Sequence, residues 1–177
     1  DRGEGFCCLN DQAVASNYLL NKGLAQKILI IDLDVHQGNG TASIFENEPR
    51  VFTFSMHGER NYPKHKEKSD LDIALPDGTG DAAYLDVLKT CIPNTIQQFK
   101  PDFIFYLAGV DVLATDKLGR LSLSKQGCKD RDAYIFYLAK HHQIPLAVTM
   151  GGGYSPRISD IRDAHANTFK AAKEMFY

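Results

Sequence analysis

The apolar, largely β-branched run at residues 27–33 (KILIIDL) constrains the fold of this chain more than any other stretch. A strand with one face in water alternates apolar and polar residues. This run is apolar almost throughout, so both faces must be covered, which predicts a buried strand of a parallel sheet. Three other short apolar runs also read as strands: residues 51–56 (VFTFSM), 103–107 (FIFYL) and 145–150 (PLAVTM). Longer amphipathic stretches separate them. Their spacing predicts helices over residues 11–24, 81–99, 124–142 and 158–175, with Gly23 near one end and Ser124 as an N-cap. Pro93 lies inside the 81–99 stretch and is expected to interrupt or bend it. Strands alternating with helices define an α/β domain with a parallel sheet. With 177 residues, 44% of them apolar, the chain is one domain or most of one and can build a real core.

Open α/β sheets place their ligands beyond the carboxyl ends of the strands. Polar clusters sit there in this sequence: Asp32, Asp34 and His36 after the first strand, Asp111 after the third, and Gly151 to Tyr154 after the fourth. Alternate residues of a strand point the same way, so Asp32, Asp34 and His36 can project together. A carboxylate and an imidazole two residues apart begin a zinc site. Alone, the same pattern also suits a hydrogen-bonded surface turn. Asp111 is a candidate third ligand, and three protein ligands would leave a coordination position open, as catalytic zinc requires. Asp111 by itself equally suits a turn or a helix cap, and Asp116 more so. Gly38 and Gly40 permit tight backbone around Asn39. Gly151, Gly152 and Gly153 let backbone approach closely and aim Tyr154, whose hydroxyl can donate to an oxyanion. The alternative is a flexible turn with a packing tyrosine. It is no phosphate loop, since the Lys-Ser/Thr ending is missing. His141 and His142 close a predicted helix, where cations are expected, and His65 sits in a charged loop (KHKEK, 64–68).

The formal net charge of -2 gives no basic excess for nucleic-acid binding. No apolar run approaches the length of a membrane span. The four cysteines, Cys7, Cys8, Cys91 and Cys128, form no C-x-x-C pair. They read as reduced thiols, buried as small hydrophobes, in a cytoplasmic or nuclear compartment. The opening Asp1-Arg2-Gly3, without Met, is expected to mark a piece whose true N-terminus lies further upstream.

Taken in order, GFCCLND at 5–11, IDLDVHQGNGT at 31–41, FSMH at 54–57, AGVD at 108–111 and GGGY at 151–154 resemble the histone deacetylase superfamily along essentially the whole chain. HQGNG and LAGVDVLATDKLGRLSLS resemble most the class IV branch and its bacterial relatives. The resemblance implies a three-layer arginase/deacetylase-like α/β fold with a mainly parallel sheet, residues 1–177 being the C-terminal part of one deacetylase domain. It implies Zn²⁺, with Fe²⁺ as another fit, on Asp34, His36 and Asp111, and Tyr154 as the oxyanion donor. Asp32 would orient a catalytic histidine and help hold a structural K⁺ with Ser55 and carbonyls of Asp32, Asp34, His36 and Met56. A second monovalent site would involve carbonyls near Phe45 and Val51. Phe6 and Tyr62, with Gly152 and Gly153, would line a tunnel for an acyl-lysine. The partner would be an acylated lysine peptide or a small acetylated amine. Two departures stand out. The family's catalytic His-His pair falls shortly before Gly5-Phe6-Cys7, ahead of this chain, so the 177 residues alone are expected to be inactive and poorly stable. Asn39 stands where many members carry an Asp, although class IV members share the Asn. Rival readings are a small-amide amidohydrolase, a binuclear manganese ureohydrolase, for which the ligands are too few, and a metal-retaining binding module without turnover.

Overall fold

In the computed structural model, residues 3–177 are described; Asp1 and Arg2, where the chain opens, lie outside them. The elements run α1 (Asp11–Asn21), β1 (Ile28–Asp32), α2 (Asn39–Phe45), β2 (Val51–Gly58), β3 (Leu71–Leu75), α3 (Asp81–Phe99), β4 (Phe103–Ala108), α4 (Lys125–His141), β5 (Leu146–Met150) and α5 (Ile158–Phe176). The five strands form one sheet in the order β3-β2-β1-β4-β5, and every pairing is parallel.

β1 is central and buried along its whole length, as its apolar run requires. Its side chains alternate between two cores. Leu29 and Ile31 join Leu88 and Ile92 of α3, Ile135 and Phe136 of α4, and Ala164 and Ala171 of α5. Ile28 and Ile30 face the other way, onto Ala13 and Leu20 of α1 and Phe45 of α2. Helices therefore cover both faces, the three-layer arrangement that the resemblance implies.

Three local expectations need correction. Pro93 does not interrupt α3, which runs as one helix through it. Proline loses its own N–H and crowds the carbonyl four residues back, but Leu88, Ile92 and Ile96, four residues apart, keep one buried stripe across it. The sheet has a fifth strand, β3, at an edge; its sequence (LDIAL) is short and half-exposed. The loop around Gly38, Asn39 and Gly40 opens into a helix, α2, with Gly38 at its N-cap and no side-chain cap. Ser124 caps α4 as expected, its hydroxyl accepting from the Gly127 N–H at 2.9 Å.

Candidate metal centre

The chain leaves β1 through Asp34 and His36, leaves β4 through Asp111, and leaves β5 through Gly151 to Tyr154. Strands that pair in parallel end on the same side, so these exits converge. Hydrogen bonds between backbone and carboxylates then stitch them together. Val35 N–H donates to Asp111 Oδ1 at 2.9 Å, and Gly152 N–H donates to Asp34 Oδ2 at 2.7 Å. Val110 N–H donates to the Gly152 carbonyl at 2.7 Å. His36 Nδ1 lies 3.0 Å from Asp34 Oδ1 and 3.1 Å from Asp111 Oδ2. One ligand atom from each of Asp34, His36 and Asp111 falls within 4.8 Å of the others, the one such group of three or more among the described residues.

The charges at this point are unusual. Burial works against the Asp34 carboxylate, yet hydrogen bonds from His36, Asp111 and two backbone N–H groups outweigh it and hold its pKa below the ordinary value. Burial and the Asp34 charge push Asp111 up to about 7. Burial disfavours a charged His36, but its bonds to Asp111 and Asp34 prevail and lift it to about 10. A proton on His36 thus serves two carboxylates at once. Asp111 Oδ2 is buried and has no protein hydrogen bond beyond its ion pair with His36. Two carboxylate oxygens and an imidazole nitrogen so gathered form a donor set that fits a divalent cation.

The glycines serve close approach. A Cβ on Gly152 would stand 1.9 Å from Asp111 Oδ2, and one on Gly109 would stand 2.3 Å from Asp34 Oδ2. Neither position tolerates a side chain, so the glycine-rich stretch is a fitted wall of the centre.

Tyr154 is half-buried, its ring centroid 6.4 Å from that of His36 and 5.8 Å from that of Phe6. Burial first, then the Asp111 and Asp34 charges, push its hydroxyl above the ordinary tyrosine range, so it stays a proton donor. Asp116 aims it. Asp116 Oδ2 accepts the Tyr154 N–H at 2.6 Å, while Oδ1 accepts from Leu118 and Gly119 N–H at 2.8 Å each. The turn reading of Asp116 holds, but the turn grips the tyrosine, a link that sequence spacing does not show. Phe6 is 86% exposed and Tyr62 45%. The Tyr62 hydroxyl and the Asn39 amide both donate to Glu4 Oε2, at 2.9 and 3.1 Å, which ties the Phe6 segment to the start of α2.

Asp32 is buried beside Ser55, its register partner across β1 and β2. Its Oδ1 accepts the Asp34 N–H at 3.0 Å, and burial, then the Asp34 charge, drives its pKa well up. Met56 is fully buried next to Ser55. Phe45 and Val51 flank the connection from α2 to β2. The decoys stay apart from the centre: His65, His141 and His142 are exposed, and His141 stacks on Tyr137 at 5.6 Å. Lys66 of the charged loop is only half-exposed and donates to the carbonyls of Asn61 and Pro63, at 2.7 and 2.6 Å. All four cysteines are free; burial holds for Cys128 but not for Cys7 and Cys8, which are exposed.

The parallel α/β sheet thus gathers at its strand ends an Asp-His-Asp group able to hold a metal ion, with a glycine-borne tyrosine beside it. The histone deacetylase domain model matches residues 1–171, and the chain belongs to that family. It is 45% identical over 174 residues to an uncharacterized protein of Picosynechococcus sp., covering 98% of this chain and 58% of that one. It is 36% identical to a probable deacetylase of Archaeoglobus fulgidus, covering 86% of this chain and 45% of the relative. Among solved structures, a histone deacetylase homologue complexed with SAHA superimposes with a TM-score of 0.81 at 27% identity, covering 97% of this chain and 47% of the other. The chain thus spans about half the length of these relatives, and its fold is the three-layer arginase/deacetylase fold with a five-stranded sheet. No helix among the described residues is long and apolar enough to cross a membrane.

Proposed function

We propose that this chain supplies the metal centre and the oxyanion-stabilising tyrosine of a zinc-dependent hydrolase that cleaves an acyl-lysine, or a similar acetylated amine, at its amide bond. The observation that carries this reading is the convergence of Asp34, His36 and Asp111 within 4.8 Å, with Tyr154 beside His36. A divalent ion on these ligands supplies Lewis acidity toward the acyl carbonyl and lowers the pKa of water. Tyr154, protonated, donates to the oxygen of the tetrahedral intermediate. The backbone of Gly152 and Gly153, drawn in close to the ligands, lines the acyl site, and Phe6 and Tyr62 wall its approach. Asp34, His36 and Asp111 are spent as ligands, so the general base that takes the water proton is another group, which the resemblance makes a histidine. Asp32 orients that base. It also shares a K⁺ with Ser55 and the carbonyls of Asp34, His36 and Met56; this part rests on the resemblance and on the adjacency of Asp32 and Ser55. The HQGNG and LAGVDVLATDKLGRLSLS stretches support reading the chain as most like the class IV branch and its bacterial relatives. Free thiols fit a reducing cytoplasm, or a nucleus in a eukaryote.

The test uses the natural full-length protein. Elemental analysis is expected to find one zinc, or one iron, per chain, and Asp111→Ala to lose both ion and turnover. Tyr154→Phe is expected to keep the ion and lose about 10²- to 10³-fold in kcat. An Asp111→Ala variant that still binds metal and cleaves acetyl-lysine peptide sinks the assignment. Faster cleavage of an acetylated polyamine than of the peptide moves the substrate to the small-amine class, and zinc uptake without turnover on either leaves a binding module.

A further inference from the structure

Helix α4 buries an ion pair that the proposed chemistry does not use. Arg131 is 0% exposed and its neighbour Asp132 is 1% exposed. Arg131 Nε donates to Asp132 Oδ1 at 2.9 Å, and Nη2 lies 2.8 Å from the same oxygen. Asp132 is held in turn by the Tyr106 hydroxyl of β4, which donates to Oδ1 at 2.5 Å, and by the Thr168 hydroxyl of α5, which donates to Oδ2 at 2.6 Å. The pair is thus fixed from the sheet and from two helices.

The remaining nitrogen does something else. Arg131 Nη1 donates to the carbonyl of Gly109 at 2.7 Å and to that of Leu33 at 3.1 Å. The β1–β4 ladder has its last registered pair at Asp32 and Leu107. Beyond it the Leu33 N–H still donates to the Leu107 carbonyl at 3.2 Å, while the buried Leu33 and Gly109 carbonyls take a donor from outside the sheet. Leu33 immediately precedes Asp34, and Gly109 stands two residues before Asp111. One guanidinium nitrogen therefore spans the two backbones at the point where each is about to present its carboxylate. A buried charge is costly, and packing alone would be served as well by an apolar residue.

We propose that Arg131 is a positioning residue: by holding the Leu33 and Gly109 carbonyls on one nitrogen it sets the separation of Asp34 and Asp111, and with it the divalent-ion affinity of the centre. This rests on the reading of Asp34, His36 and Asp111 as ion ligands. Outer groups that orient ligands typically change metal affinity by about 10- to 100-fold when removed.

The experiment titrates Zn²⁺ into the natural full-length protein against a chromophoric chelator and records the visible spectrum of the Co²⁺ form. Arg131→Met keeps an unbranched apolar stem and removes every donor. Ile92→Ala, in the buried stripe of α3, controls for lost stability. Arg131→Met is expected to weaken Zn²⁺ by at least about tenfold and to shift the Co²⁺ spectrum, while Ile92→Ala, with a comparable fall in Tm, keeps both. Wild-type affinity in Arg131→Met, or an equal loss in Ile92→Ala, overturns the inference. If Arg131→Met does not fold, Asp132→Asn, which frees the guanidinium from its anchor, is read by the same criteria. Asp111→Ala runs in parallel. If it loses the ion while Arg131→Met does not, the Arg131 inference alone falls; if it binds as the wild type does, the metal-centre reading falls and takes the inference with it.

Discussion

Tyr154 can stabilise an oxyanion only if its ring is held beside His36, and the hold is a backbone one. Asp116 accepts the Tyr154 N–H and two more N–H groups from its own turn. Asp116→Ala is therefore expected to lower kcat by about 10- to 100-fold through misplacement of the tyrosine, with zinc affinity unchanged; a parallel loss of zinc in the chelator assay would contradict this. His165 gives a second test at this scale. Burial first, then the nearby Arg131 charge, hold its pKa below the ordinary 6.5. The unfolded chain therefore takes up the proton more readily, so the contribution of His165 to stability is complete above 6.5 and is lost as pH falls through the folded value. Thermal melts from about pH 8 to about pH 5 should show a steeper decline for the wild type than for His165→Asn. Parallel declines would contradict it. Of these residues, Asp34, His36, Asp111 and Tyr154 could be picked out from sequence because each follows an apolar strand. Asp116 and Arg131 could not be weighted correctly. An Asp three residues before a glycine is an ordinary turn, and an Arg in an amphipathic helix is ordinarily a surface residue.

At the scale of elements, local signals worked where they were redundant. Ser124 accepts from Gly127 N–H and also donates to Asp81 Oδ2 at 2.6 Å, linking the starts of α3 and α4. Ser124→Ala should cost about 0.5–2 kcal/mol, typical of a lost N-cap, read from urea denaturation; no loss would show the cap to be idle. The strands from 27–33, 51–56, 103–107 and 145–150 were legible because each is a compact apolar run. β3 was not, because an edge strand with intermediate or exposed side chains over most of its length carries little apolar signal. α2 was hidden by Gly38 and Gly40, whose turn preference outweighs seven residues of weak helical pattern. Pro93 misled in the other direction, because tertiary burial of the α3 stripe overrides the loss of one hydrogen bond.

For the whole molecule, the centre lies where the strand exits meet, so an ion on Asp34, His36 and Asp111 would clamp the ends of β1 and β4 together. A ligand that binds only the folded state stabilises it by mass action. Zinc at about 100 times its Kd should add about 2.7 kcal/mol to the unfolding free energy, seen as a rise in the urea midpoint, and Asp111→Ala should abolish the rise. An equal rise in that variant would place the ion elsewhere. The sequence by itself determined the class of fold and the chemical types at the strand ends, because apolar runs and their polar exits are properties of neighbouring residues. That the exits converge on one face follows from the parallel sheet read in the sequence; only the tertiary structure decided how closely they meet, that Asp116 grips the tyrosine and that Arg131 bridges two strands. Those contacts join residues 38, 22 and 98 positions apart, and such distant pairings arise from packing, which no local pattern encodes.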